Sequence, residues 1–474
     1  MIAASPNPPH RLVPFSELEN KVIRPGLCTH CGTCVGLAQG ALAFAETEKG
    51  PRPVSADLGA ADPMIPKEAL EACPGQGLDY PELNEYVFGG PPSDWLAGRV
   101  RRSYLAYASD PNIRRSGASA GVITQLLLSL LASGRIDGAV TLRHGEPRPW
   151  LSTPVVAHTP DQIRAGSQSV YVPIPVNQIL GEIGDTLQSL AYVGLPDQVA
   201  SLRKLQQLGE PRATKIQFVI GPYVGTSMYV GSIRSFIRSN GVDQLDDIEL
   251  IRYRDGEWPG SLLVRTRQGR ELRSPKFYYN YLIPFYVTRA SLLTMDFTNE
   301  LTDISVGDAW APELEDRGEG YSVVLARSAQ AVDLLSELAG NGAISLEEIP
   351  LEQALGMHGH MLDFKKRGAY LRAQARRLVG LPAPDFGIRP TGIPFSRVLV
   401  ELVVSGIFLI GSFRVSRWII EQLPPDTLGP LFDTLRTWWK GLSKPAKRRG
   451  LSGQVFLATR RGEYGNPQGP GSDG

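Results

Sequence analysis

All four cysteines of this chain fall in one pattern, Cys28-x-x-Cys31-x-x-Cys34 followed by a remote Cys73-Pro74. Three cysteines two residues apart cannot all reach one another as disulfides, but their thiolates can wrap a cube of iron and sulfide. The small residues between them let backbone amides turn toward the sulfur atoms, and the proline stiffens the chain at the fourth ligand. Four cysteines also satisfy a tetrahedral zinc site, although such sites usually pair two CxxC hairpins. Cys28, Cys31, Cys34 and Cys73 are therefore the candidate metal ligands, with one 4Fe–4S cluster as the first reading. A chain holding such a cluster carries electrons.

Length and charge narrow the rest. At 474 residues there is room for two or three domains around a substantial core. Lys and Arg total 49 against 48 for Asp and Glu, which gives no electrostatic footprint for nucleic acid. Cysteines spent on a cluster imply a reducing compartment. The proline-rich N-terminus lacks the apolar core of a signal peptide, so a cytoplasmic protein is expected. No uninterrupted apolar run reaches the ~18–20 residues of a membrane span. The nearest, 398–413, is broken by Glu401 and closely followed by Arg414 and Arg417.

The pattern divides the chain as follows. Residues 1–20 read as a flexible leader and 21–90 as an iron–sulfur module, with Gly89-Gly90-Pro91-Pro92 as a linker. From 103 onward strands and helices alternate: strands at 103–108, 137–142, 187–193 and 216–221, helices at 121–133 and 199–208. Alternation of this kind implies an α/β sheet. The expected units are 91–245 and 246–381, the second with strands at 248–253 and 262–266 and a helix at 329–338. Residues 382–461 form a helical extension, with an apolar helix at 396–422 and a second at 428–442 carrying Trp438, Trp439 and Lys440. Residues 462–474 read as a disordered tail. The fold class is thus an α/β (α+β mixed) body with an N-terminal ferredoxin-like module and C-terminal helices. Those helices, with the basic run 444–449, suit either packing on the body or a partner, or peripheral contact with a membrane; packing is the favoured reading.

Two small-residue turns can meet phosphate groups. Ser116, Gly117, Ala118, Ser119 and Gly121 lie between a strand and a helix, where backbone amides at a helix N-terminus accept an anion. Gly166, Ser167 and Gln168 form a second turn that can line the same pocket. The segment 304–308 is a strand ending in Gly307-Asp308, and 296–300 is a polar stretch between apolar runs that contains Asn299. Asp296, Asp303 and Asp308 are the weak candidates for a catalytic proton donor. His358 and His360 read as part of a loop, since no third metal ligand is visible.

Together these pieces resemble the coenzyme F-420 hydrogenase/dehydrogenase beta-subunit family, whose relatives include 7-hydroxymethyl chlorophyll a reductase and a ferredoxin-dependent divinyl chlorophyllide reductase. The resemblance runs from about residue 26 to 380. It rests on the cysteine pattern, Ser116-Gly117-Ala118, Ala165-Gly166-Ser167, Gly194-Leu195-Pro196, Trp258-Pro259-Gly260, and the acidic stretch leading into Gly307-Asp308. It implies an FAD in the α/β body beside the cluster, a ferredoxin-like donor or partner redox subunit, and hydride exchange with an organic acceptor such as deazaflavin coenzyme F-420. An oxidoreductase of the coenzyme F-420 hydrogenase beta-subunit type is expected, as an oligomer or complex subunit; a non-catalytic relay or adaptor subunit is the alternative. Family members with a second cluster carry cysteines where this chain has Asp197, Val224, Ser291 and Thr294, so one cluster is expected here. Gln168 stands where a basic residue is common in the family.

Overall fold

The computed structural model describes residues 11–57, 62–275 and 279–451, with two short strands beyond, Phe456–Ala458 and Gly462–Tyr464. Its frame is an eight-stranded sheet of β1 (Arg102–Ala108), β2 (Gly138–His144), β3 (Ser152–Ala157), β4 (Leu190–Val193), β5 (Ile216–Pro222), β6 (Ile304–Asp308), β7 (Ser322–Ala326) and β8 (Ile344–Glu348). The spatial order is β8-β1-β7-β6-β5-β4-β2-β3. The middle run β6, β5, β4 and β2 is parallel; the remaining pairings are antiparallel.

The parallel strands read as near-continuous apolar runs because both faces are covered. Successive residues alternate between two cores. Ala139, Ala191, Phe218, Ile220 and Ile304 pack under the helices α1 (Val122–Ala132) and α3 (Ala329–Gly340). Val140, Leu190, Tyr192 and Val219 face the other way, toward helix α2 (Pro196–Gln207) and the cysteine module. Helix α3 starts where it does because the Ser328 hydroxyl accepts the Ala331 N–H at 3.1 Å.

The mixed α/β class holds, but the expected boundary at 245 does not coincide with a break in the sheet. Strands from both sides of it share the same sheet, and 248–275 form a separate three-stranded antiparallel sheet inserted between β5 and β6. The leader is corrected as well. Leu12–Pro14 pairs antiparallel with Met64–Pro66, and Phe15 and Leu18 are buried in the core of the cysteine module; residues 1–10 lie outside the described part. Likewise Gly462–Tyr464, expected in a disordered tail, pairs with Phe456–Ala458, which pairs in turn with Ile388–Pro390; residues 465–474 lie outside the described part.

The C-terminal extension has three helices. The apolar stretch expected as one helix over 396–422 breaks into α4 (Phe395–Gly411) and α5 (Arg414–Glu421), bent by 73°, and α6 follows at Pro425–Arg448. A ring of buried charge joins α4 to the body. Arg397 Nε donates to the Asp363 carboxylate at 2.7 Å, Arg397 Nη2 to Glu401 at 3.0 Å, and Arg372 Nη1 to Glu401 at 2.7 Å. Pairing of this kind keeps buried charges tolerable. No single helix among the described residues is long and apolar enough to cross a membrane.

Candidate functional site

The four cysteines, scattered over 46 positions, line one small cavity bordered by Leu18, Val22, Ile23 and Phe44. The loop can turn so tightly because Gly32 adopts φ +96°, and a Cβ there would lie 2.5 Å from the Pro175 carbonyl oxygen. Gly75, beside Cys73, is equally confined: its Cβ would meet Val22 Cγ1 at 2.6 Å. Backbone amides are aimed at the sulfurs, His30 at Cys28, Thr33 at Cys31, Val35 at Cys34, and Gly75 and Gln76 at Cys73. Burial in this apolar surround pushes every thiol up, Cys28 to about 12, and neighbouring cysteines add to the effect at Cys34 and Cys73. Cationic metal in the cavity would reverse that preference and hold the thiolates.

All four sulfurs border the one cavity, as the ligands of a cluster must. Among the described residues no group of three His, Cys, Asp or Glu side chains is arranged to hold a single metal ion. His30 is the loop's second left-handed residue, φ 63°, and its Nδ1–H donates to the Pro51 carbonyl at 2.8 Å.

Thr29 and His30 are shared with a second cavity, at the carboxyl ends of β4 and β5. In open α/β sheets that edge is where ligands collect. Asp197, Val224, Ser291 and Thr294, the four positions without family thiols, all line it. Lys365 fills the space they leave, donating through Nζ to the Ser291 carbonyl at 2.8 Å and the Thr294 hydroxyl at 3.0 Å. Burial lowers its pKa to about 7 and raises that of Asp197.

The two small-residue turns do meet. Gln168 Nε2 donates to the Ser116 carbonyl at 3.3 Å, and Ser116, Ser167 and Gln168 line a cavity of about 1550 Å3, partly open to solvent, with Arg115, Arg252 and Trp150. His144 at the end of β2 holds the second turn. Its Nε2 donates to the Ser167 carbonyl at 2.9 Å while Nδ1 accepts from the Ser152 hydroxyl at 3.0 Å. The first turn is braced from the other side. Ser119 Oγ donates to the Tyr321 carbonyl at 3.0 Å, and Gly121, φ 72°, sits where a Cβ would meet the Ile113 carbonyl at 2.4 Å. Gly117 is pressed against Gly121, and Gly166 against Thr141. Ala118 shares the first turn. The α1 N-terminus has no capping side chain, which leaves its first amides for an outside acceptor.

The three acids are already engaged. Asp308 pairs with buried Arg254 at 3.2 and 3.1 Å and accepts the Trp258 indole N–H at 3.0 Å. Asp303 accepts from Arg203 at 3.1 Å and from the Val219 amide at 2.8 Å. Asp296 accepts the amides of Asn299 and Glu300 and the Tyr80 hydroxyl, and it alone of the three lines the Lys365 cavity. Asn299 clasps the ends of β4 and β5 by donating to the Gly194 and Pro222 carbonyls at 2.8 and 3.3 Å. Gly307 lies under the Tyr223 ring. His358 lies in the short turn before the helix Gly359–Asp363, as expected of a loop residue, whereas His360 is inside that helix; the buried His358 ring is packed between Tyr223 and Phe297 and has its pKa lowered to about 4 by burial.

Lys365, His144 and Arg254 were missed from sequence. Lys365-Lys366-Arg367 looks like a solvated basic run, yet all three are buried, Lys366 against Glu300 and Arg367 Nε on Asp363 at 2.7 Å.

Two family models cover the body. They are the N-terminal and C-terminal models of the coenzyme F420 hydrogenase/dehydrogenase beta subunit, which match residues 103–181 and 187–352. The chain belongs to the coenzyme F420 hydrogenase/dehydrogenase beta-subunit family. The expected oxidoreductase class agrees with that membership. Among its relatives, a coenzyme F420-dependent sulfite reductase of Methanocaldococcus jannaschii is 24% identical over 365 residues, 73% of this chain and 52% of that protein. The chain thus spans about half the length of that relative. A coenzyme F420 hydrogenase subunit beta of Methanothermobacter thermautotrophicus is 25% identical over 304 residues, 61% of this chain and 99% of that one. A chain of the F420-reducing [NiFe] hydrogenase complex from Methanosarcina barkeri shares the fold at a TM-score of 0.50 and 21% identity, covering 62% of this chain and 98% of its own. Neither family model reaches α4, α5 and α6.

Proposed function

We propose that this chain is an iron–sulfur flavoprotein oxidoreductase. In this reading it passes electrons between a one-electron donor and an organic acceptor of the deazaflavin F-420 type. The carrying observation is the convergence of all four cysteines on one amide-lined cavity, separated from the strand-end cavity only by Thr29 and His30. A cluster bound there supplies single electrons and a bound FAD supplies hydride, which is the division of labour such chemistry needs.

The protein's own groups have distinct work. Cys28, Cys31, Cys34 and Cys73 hold the cluster, and their amide neighbours stabilise negative charge on sulfur. The Ser116 and Ser167 turns, bridged by Gln168 and with the second held by His144, present small residues to the large cavity. Arg115 and Arg252 on its rim suit an anionic acceptor or cofactor tail. Asp296 is the one of the three acids that lines the smaller cavity with Lys365, and as an acceptor of three hydrogen bonds it is placed to take a proton there; Asp303 and Asp308 serve the frame.

Anaerobic purification with iron quantitation and released-flavin analysis tests this. About four irons and one FAD per chain are expected. Iron without flavin overturns the enzyme reading and leaves a relay subunit; neither overturns both.

A further inference from the structure

We propose that α4, α5 and α6 form a docking face for an anionic lipid bilayer, on which the protein lies peripherally. The reading of these helices as packed on the body holds for one side only. All three helices carry uncovered large side chains: Phe395 at 74% exposure, Leu402 at 63% and Ile410 at 61% on α4, Trp418 at 61% on α5, and Trp438 at 65% on α6. On α6 they fall at Leu431, Leu435, Trp438 and Leu442, spacings of four, three and four that make one stripe. A patch on three successive helices far exceeds the scattered apolar residues of an ordinary surface.

Charge and aromatic placement select lipid as the occupant. From 434 to 451 the chain carries no acid, and its basic residues there include exposed Lys444, Arg448 and Arg449 beside the tryptophan-bearing end of α6. Tryptophan at the edge of an apolar face with flanking lysine and arginine suits the headgroup boundary, with the basic groups on anionic phosphates.

The geometry places this face along a membrane and not through one. Helix α4 is fastened to the body at both ends. Near its start Arg397 and Glu401 lie in the buried charge ring, and at its end Gly411 is packed so tightly that a Cβ would lie 2.3 Å from the Pro284 carbonyl. Arg417 Nε on α5 donates to the Phe285 carbonyl at 2.9 Å. With both ends on the body, the helix axis runs along the protein surface and offers lipid only its outer side.

Flotation of the full-length protein with vesicles tests this, using phosphatidylcholine alone or mixed with phosphatidylglycerol. Binding to the mixed vesicles is expected, with a blue-shifted tryptophan emission, and the alkaline carbonate wash used for peripheral proteins should release it. The joint variant Leu402→Gln, Ile410→Gln, Trp418→Gln and Trp438→Gln, all at exposed sites, should lower binding by about tenfold or more. Lys444→Gln with Arg448→Gln and Arg449→Gln should abolish the preference for phosphatidylglycerol while leaving the far-ultraviolet circular dichroism unchanged. No flotation on either vesicle overturns the proposal. So does resistance to carbonate, which would mean insertion, or a concentration-dependent dimer that the four glutamines dissolve, which would make the face a protein interface.

Discussion

The Lys365 Nζ donates to the Ser291 carbonyl at 2.8 Å, which sets an amine in the wall of the cavity beside the cysteines. Burial holds the folded pKa near 7, against 10.5 for the free side chain. Between those values the unfolded chain binds more protons than the folded one, so this group makes stability rise with pH and imposes its full penalty below pH 7. From pH 7 to 9 the wild type should gain about 2 kcal/mol relative to Lys365→Met, read from denaturant midpoints of both proteins. Parallel pH curves for the two would refute a neutral, buried Lys365.

Asp308→Asn separates a frame role from a proton-donor role. Arg254 is almost wholly buried and depends on this carboxylate for two hydrogen bonds. Removing the charge leaves the guanidinium unpaired, and about 3 kcal/mol of stability should be lost. If thermal unfolding is unmoved while turnover collapses, Asp308 acts in the chemistry.

Much of the frame was legible from residue pattern alone. The alternation of Ala139 with Val140, and of Ala191 with its neighbours Leu190 and Tyr192, is a period-two signal whose two faces the structure fills separately. The cysteine spacing already placed Cys28, Cys31 and Cys34 on one loop; only the fold brings Cys73 to them. What pattern could not reveal were pairings over long separation. Arg254 and Asp308 are 54 residues apart, and Lys365 and Ser291 are 74 apart. A basic triplet such as Lys365-Lys366-Arg367 reads as solvated until the distant Ser291, Thr294 and Glu300 and the nearby Asp363 are seen to surround it. The break of the 396–422 stretch was missed for the opposite reason. The break had a signal in Gly411-Ser412, a poor helix-forming pair at the bend, and the docking of Gly411 on Pro284 and Arg417 on Phe285 fixes its place.

Gly32 and Gly40 give a matched pair for the cysteine loop. Both have positive φ, 96° and 86°, so alanine strains either backbone by about 1 kcal/mol. Only at Gly32 would the new methyl strike a neighbour, the Pro175 carbonyl at 2.5 Å; at Gly40 nothing lies within 4 Å. With the proposed cluster bound, Gly32→Ala should therefore lose iron and stability together, by several kcal/mol, while Gly40→Ala retains its iron and most of its stability. Equal iron content in the two proteins would show that the loop tolerates displacement against 175–178.

The charge ring around Asp363 makes the C-terminal helices part of the body's stability. Asp363 takes one hydrogen bond from Arg367 and two from Arg397, at 3.0 and 2.7 Å, while Glu401 is shared between Arg397 and Arg372. Arg397→Met removes one cation from between two buried carboxylates and leaves each with a single arginine. The three hydrogen bonds lost at this desolvated site amount to about 3–5 kcal/mol. The loss should be local first, because Arg397 sits in the opening turn of α4 and the cysteine module lies on other elements. Limited proteolysis should then cut near 382–394 many times faster than in the wild type, while the iron of the proposed cluster stays bound. Loss of iron at the same rate as cleavage would instead mean that the extension and the cysteine module unfold as one unit.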